Sequence, residues 1–438
     1  MKWFIYICLA IVPLTSCSDD DNGTTSSEPT IEWIKTFGGS KNEVAYTVVS
    51  TQDGGYALLG YAQSTDGDVS NNPTENHDYW VMKFDSNDAL EWNKTYGGSL
   101  DDRGYDMIHT NDGGYLVVGY SKSADADVSN NSGSYDLWIA KLNTSGTISW
   151  EKSLGYVGSD KAQTVLQTSD GGYFITGTLD VTASGGEGNS RETQHAGGDY
   201  WAIKLNPSGT TEWTKYFGGN NTEVPYDTEQ TSDGGFIIAG TSDSIDVDIT
   251  NNKGQYDFWV IKINSSGNLV WEKSYGGTGI DEAYSITKAD AGNFMVLGKT
   301  FSADGNVSQN SGSADLWLIK IDGSGNLLWE KTYGGGSFDE GRAIKKTTDD
   351  GYIIAGSTRS QDGDLQQNNG QNDAWVLKIS SNGTKQWQQV FGGSQIDVLY
   401  DVIEQINSEI ILVGESGSAD FDVLENKGFK DVLIAKLK

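Results

Sequence analysis

The stretch "WEKTYGGGSFDEGRA", Trp329 to Ala343, has close copies in "WNKTYGGSLDDRGYD" from Trp92 and "WEKSYGGTGIDEAYS" from Trp271. Aligning the chain on these copies brings Trp33, Trp92, Trp150, Trp213, Trp271, Trp329 and Trp387 into register, spaced 58 to 63 residues apart. Self-similarity at such a period marks a propeller or a solenoid. Each repeat offers four strand-like runs. In the fifth they are "EAYSITKA", "NFMVLGK", "DLWLIKI" and "NLLWEKTY", separated by Gly, Asn and Asp turn residues. A helical spacing of apolar residues is nowhere sustained.

Runs such as "YLVVG", "FIIAG" and "IILVG" are apolar at consecutive positions and end in Gly119, Gly240 and Gly414. A strand with one wet face alternates, so these strands are expected to be buried on both faces, as between the blades of a propeller. The terminal Gly fits close packing or a bend. The chain ends choose between ring and solenoid. "IEWIKTF" (31–37) is a fourth-type strand with no predecessor, and "DVLIAKLK" (431–438) is a third-type strand with no successor. Pairing them completes a seventh blade and removes two open edges, whereas a solenoid would need capping repeats. The expectation is an all-β, seven-bladed β-propeller over residues 31–438, with four antiparallel strands per blade, closed by its two terminal strands.

At "DLWLIKIDGSGNLLWEKTYGG" (315–335) the chain resembles the bacterial β-propeller repeat family, whose units carry an Asp-aromatic-Lys strand, a Gly turn and a Gly-Gly before the next blade. Asp78, Asp136, Asp199, Asp257, Asp315, Asp373 and Asp431 fit the Asp, and a Lys follows five residues after each. Departures are "DAGN" for "DGG" in repeat five and Leu433 for Trp in the last. The resemblance implies the fold and is nearly silent on activity, because one fold hosts many functions.

The composition narrows the setting. Cys8 and Cys17 are the only cysteines, so the repeats hold no disulfide and no thiol chemistry. Thirty Lys and Arg stand against 61 Asp and Glu, a net charge of −31, which argues against nucleic-acid partners. Residues 1–16 read as a signal peptide, too short to span a bilayer. "LTSC" (14–17) resembles the lipoprotein box, which implies lipid attachment at Cys17 and an outer-membrane, surface-exposed or periplasmic location, with the membrane touched through the anchor only. Residues 17–30 are a polar, acidic tether.

Every Trp after Trp3 falls on a repeat position, so packing is its expected role. Ten residues after each anchor Trp stands a carboxylate: Glu43, Asp102, Asp160, Glu223, Asp281, Asp339 and Asp397. Seven such acids could ring one mouth of the channel and meet a partner. Alternatively, each accepts hydrogen bonds from its own Gly-Gly turn, which their recurrence in every repeat favours. The loops "DADVSNNSGSYD" and "DVDITNNKGQYD" place Asp125, Asp127, Asn131 and Asp136, and Asp246, Asp248, Asn252 and Asp257, at calcium-loop spacing. They lack the loop's Gly and bidentate Glu, and Asx turns explain the same residues. Their fourth residue, Val128 or Ile249, is expected to pin the turn to the blade. Repeat three has a longer loop, 181–198, whose Arg191 and His195 are candidates for partner specificity. His77, His109 and His195 occupy non-equivalent positions, which disfavours a zinc trio. The expected function is a monomeric, non-catalytic binding or scaffold module for an envelope protein or glycan, with calcium as the one candidate ion. The alternative is a polysaccharide-active enzyme using loop carboxylates.

Overall fold

The computed structural model describes residues 28–69, 71–184 and 195–438. Among these, 28 strands form seven four-stranded antiparallel sheets arranged as blades around one channel. The innermost strands are Glu43–Ser50, Asp102–His109, Lys161–Gln167, Glu223–Gln230, Asp281–Lys288, Asp339–Lys346 and Asp397–Glu404. The first six begin blades one to six, each running outward through consecutive strands. The seventh blade joins both ends of the chain. Ile31–Phe37 pairs antiparallel with Asp431–Leu437, Trp33 opposite Lys436 and Phe37 opposite Val432. Thr30 and Lys438 exchange backbone bonds of 2.9 Å at its end.

The second and third strands of a blade are the apolar runs. In blade one Tyr56–Ala62 and Asp78–Phe84 are buried at every position. Neighbouring blades interdigitate through them. Leu58, Trp80 and Met82 meet Ile411, Val413, Val432 and Ile434 across the ring closure. The Trp of the third strand in blades one, two, four, five and six is the largest fully buried side chain there, and its indole N–H reaches the outer strand, as in Trp138 to Glu151 (2.9 Å). The Lys five residues after the motif Asp staples the opposite end of the blade: Lys83 bonds Asp53 (2.8 Å) and the carbonyl of Phe84 (2.7 Å).

The Gly ending each apolar run has a more specific cause than close packing. A Cβ on Gly60 would lie 1.8 Å from the carbonyl oxygen of Val44, and on Gly414 1.8 Å from that of Val398. The register of the inner strand shifts beside this contact, between Ala45 and Thr47, and likewise in all seven blades. The Gly is what admits a β-bulge on the inner strand.

Candidate functional site in the central channel

The bulges decide what faces the channel. The extra residue is Tyr46, Tyr105, Gln163, Tyr226, Tyr284, Arg342 and Tyr400 in blades one to seven, thirteen after each anchor Trp. A bulge breaks the two-residue alternation and re-aims a side chain. All seven line the channel, a cavity of ≈ 350 Å³, and all are half-buried.

They form a nearly continuous arc. Ring centroids lie 5.3 Å apart for Tyr105–Tyr46, 5.0 Å for Tyr46–Tyr400 and 5.1 Å for Tyr284–Tyr226. Arg342 fills the gap, its guanidinium 4.3 Å from the Tyr284 ring and 5.8 Å from that of Tyr400. Gln163 completes the circle. The arc extends outward through Tyr120, 5.6 Å from Tyr105, to Tyr135, 4.9 Å further on. Burial raises the phenols, Tyr61 and Tyr226 to about 12, so they stay protonated donors at neutral pH.

One residue deeper the channel turns acidic. Asp106, Asp227 and Asp401 each reach the next blade. Asp106 accepts from Thr164 (2.9 Å) and the N–H of Val165 (2.8 Å), and Asp227 from Ser285 and Ile286 (both 2.9 Å). Asp401 accepts from Thr47 (3.1 Å) and Val48 (3.0 Å), bonding blade seven to blade one. Lys345 is the cation among them, Nζ 3.7 Å from Asp401. Its pKa is raised, first by Asp401, then against burial by Asp227 and Asp106. These latches consume the carboxylates in joining blades.

The seven recurrent acids are architecture. Glu43, Asp102, Asp160, Glu223, Asp281, Asp339 and Asp397 have no exposed surface, which corrects the expectation that they meet a partner. Six accept from the second Gly of their turn, as Asp102 does from Gly98 (2.7 Å), while Asp160 accepts from Tyr156 (2.7 Å). Most also tie down a hydroxyl of the neighbouring loop, such as Ser123 to Asp102 (2.8 Å).

One oxygen of each loop side chain is similarly engaged, each on a different backbone N–H, while the second oxygen of Asp136 and of Asp257 is buried without a hydrogen-bond partner among the described residues. Asp125 accepts from Ser99 (2.8 Å), Asp127 from Gly97 (3.3 Å), Asn131 from Gly133 (2.9 Å) and Asp136 from Ser132 (2.6 Å). Asp246, Asp248, Asn252 and Asp257 repeat the pattern with Asn220, Gly218, Gly254 and Lys253. Among the described residues no group of three or more His, Cys, Asp or Glu is placed to hold a metal ion. Val128 and Ile249 are buried, pinning the turns as their position implies. His195 is not presented to a partner: its side chain is 3 % exposed and bonds Asp199 at 2.5 Å. Arg191, Cys17, the signal peptide and residues 17–27 of the tether lie outside the described residues. Among the described residues no helix is long and apolar enough to cross a membrane.

The Trp positions, all taken up by the repeat, carry no sign of the arc in the sequence. The signal is a column holding Tyr in five repeats and Gln or Arg in two. Strict alternation mispredicts its facing, since the bulge sits on that residue.

No family model matches the chain. A curated relative, the regulatory protein FlaEY of Caulobacter vibrioides, is 26 % identical over 206 residues, 42 % of this chain and 21 % of that protein. The match therefore spans about a fifth of that relative's length. Among solved structures, BBS1N in complex with ARL6DN aligns over 93 % of this chain and 96 % of its own, with a TM-score of 0.49 and 9 % identity. Sqt1 from Chaetomium thermophilum aligns over 88 % and 82 %, with a TM-score of 0.45 and 10 % identity. The quinohemoprotein alcohol dehydrogenase ADHIIG from Pseudomonas putida HK5 aligns over 94 % and 76 %, with a TM-score of 0.46 and 11 % identity.

Proposed function

We propose that this chain is a lipid-anchored binding module of the bacterial cell envelope, of the β-propeller repeat family, that holds a glycan at the tyrosine-lined mouth of its channel. The observation that carries the reading is the arc of five bulge-projected tyrosines, interrupted only by Gln163 and Arg342. Half-buried phenol faces suit stacking on sugar rings, and their hydroxyls, with Gln163 and Arg342, suit sugar hydroxyls. A structural ring has no need of two odd members, whereas a site normally breaks symmetry. The engagement of Asp106, Asp227 and Asp401 in blade-to-blade bonds favours binding over hydrolysis.

Titration calorimetry against envelope and dietary polysaccharides tests the reading. Tyr46→Ala or Tyr105→Ala should lower affinity about 10-fold, the loss of one stacking platform. Unchanged affinity in both variants, or retention of an envelope protein but no glycan in a crosslinked pull-down, would overturn it. New reducing ends or unsaturated products would favour the enzyme instead. For the anchor, Cys17→Ala should move the protein from the membrane fraction to the soluble fraction, since the remaining contact with the bilayer is the acyl group itself.

A further inference from the structure

The residue following each buried acid, eleven after the anchor Trp, differs by blade: Val44, Arg103, Lys161, Val224, Glu282, Glu340 and Val398. The mouth is thus polarised. Blades two and three carry cations, blades five and six carboxylates. The negative side is internally paired, Glu282 with Lys299 (2.8 Å) and Glu340 with Arg342 (2.9 Å).

The positive side is not. Lys161 stands 4.6 Å from the ring centroid of Tyr120 and 5.0 Å from that of Tyr135. Lys122 approaches Tyr135 at 5.6 Å, and Arg103 lies 4.9 Å from Tyr61. Asp101 serves Arg103 (2.9 Å), and also His77 (3.0 Å) and Tyr120 (3.3 Å). Among the described residues neither Lys122 nor Lys161 pairs with a carboxylate. Burial first, then the nearby Arg103, lower the Lys161 pKa, with Asp101 opposing them. In a chain with 61 acids to 30 bases, the exposed Lys122 and the half-buried Lys161, without a carboxylate of their own and beside the Asp101-paired Arg103, form a local positive lobe that suits an anion from outside.

Resting on the glycan reading above, we infer that this lobe is the subsite for the carboxylate of a uronic-acid residue. Tyr135, Tyr105 and Tyr46 are half-buried and supply platforms for sugar rings, the buried Tyr120 joins Tyr135 to Tyr105, and Lys161 and Lys122 stand within 5.0 and 5.6 Å of the Tyr135 ring centroid. Glu282 and Glu340 on the far side already hold Lys299 and Arg342, so that side offers an incoming carboxylate no unpaired cation, and an acidic chain is drawn to blades two and three.

The test uses the full chain, with polygalacturonate and its neutral methyl ester titrated at about 50 and about 300 mM salt. Polygalacturonate should bind about 10-fold tighter than the ester at low salt, and the advantage should shrink at high salt. Lys161→Gln, and separately Lys122→Gln, should reduce polygalacturonate toward the ester's affinity while leaving the ester and the thermal melt unchanged. Equal affinities for the two polymers, an equal loss for both in Lys161→Gln, or equally tight binding of polyglutamate or dextran sulfate would overturn the uronate subsite. If both polymers fail while neutral glycans bind and Tyr46→Ala weakens them, the uronate inference falls and the glycan reading stands. If no glycan binds at all, both fall.

Discussion

A single missing methyl group sets the chemistry of the channel. With Cβ 1.8 Å from the Val44 carbonyl oxygen, Gly60→Ala can be accommodated only if the inner strand of blade one moves away. That motion removes the bulge and turns Tyr46 out of the arc. Overpacking of this kind costs about 1–3 kcal/mol, so urea unfolding of Gly60→Ala should show a stability loss of that size, read as a lower midpoint. Glycan affinity should fall with it, although Gly60 itself touches no ligand. Wild-type affinity in a destabilised Gly60→Ala would show that the bulge does not aim Tyr46. The repeating Gly was legible in the sequence as a packing or bending position. Its partner, the odd residue opposite, was not, because a bulge leaves no mark in hydrophobic periodicity. The column thirteen residues after the Trp could still have been read by identity, Tyr against Gln and Arg.

At the scale of the element, the strands and their order were legible because each carries a two-sided apolar run between strong turn signals. Ring closure was legible because the terminal strands were of complementary type. The loops were harder, since an Asp in a turn looks the same whether it takes a cation or an N–H. The structure gives the oxygens of Asp246, Asn252 and Asp257 backbone donors at 3.0, 3.0 and 2.7 Å. Asp257 keeps a second, buried oxygen without a hydrogen-bond partner, but a calcium ion entering that loop would still have to gather side chains now pointing at separate donors. The expected outcome is therefore a melting temperature that calcium leaves within about 1 °C of its value in chelator, less than 1 kcal/mol would produce. A rise of several degrees that Asp246→Asn with Asp257→Asn abolishes would instead establish a cation site.

For the whole molecule, the seven recurrent acids and the seven motif Asp residues form a belt of carboxylates buried in the sheet ends, and this belt sets how stability varies with pH. Adjacent members crowd each other: a Cβ on Gly97 would lie 2.5 Å from an oxygen of Asp78 and 2.7 Å from one of Asp102. Burial first, then neighbouring carboxylates, raise Asp78 to about 8, while burial raises Glu223 to about 7 and Asp160, Asp257, Asp315, Asp373 and Asp431 to about 6. Each of these pKa values lies above that of the unfolded chain, about 4. Between the two values the folded protein therefore holds protons that the unfolded chain has released. Their stabilisation is fully present below about pH 4 and is lost as pH rises through 6 to 8. Asp170 is of the opposite kind, held at about 2 by the Thr168 hydroxyl, Gly172 and Lys204. Asp112 and Asp349 also sit at about 2, where their bonds to Thr, Lys and Gly together outweigh the upward push of burial. What those groups contribute is present above about pH 4 and lost as pH falls toward 2. The two sets place the stability maximum near pH 4–5, below neutrality, and relief of the −31 net charge acts in the same direction. Thermal melts at constant ionic strength should therefore rise from pH 8.5 to 5 and fall again below pH 3.5. Replacing Asp78 by Asn, which keeps the shape without the charge, should raise the melting temperature at pH 8.5 more than at pH 5. A melting temperature that climbs steadily from pH 5 to 8.5 would mean that the belt is ionised throughout, held by cations or waters lying between its members.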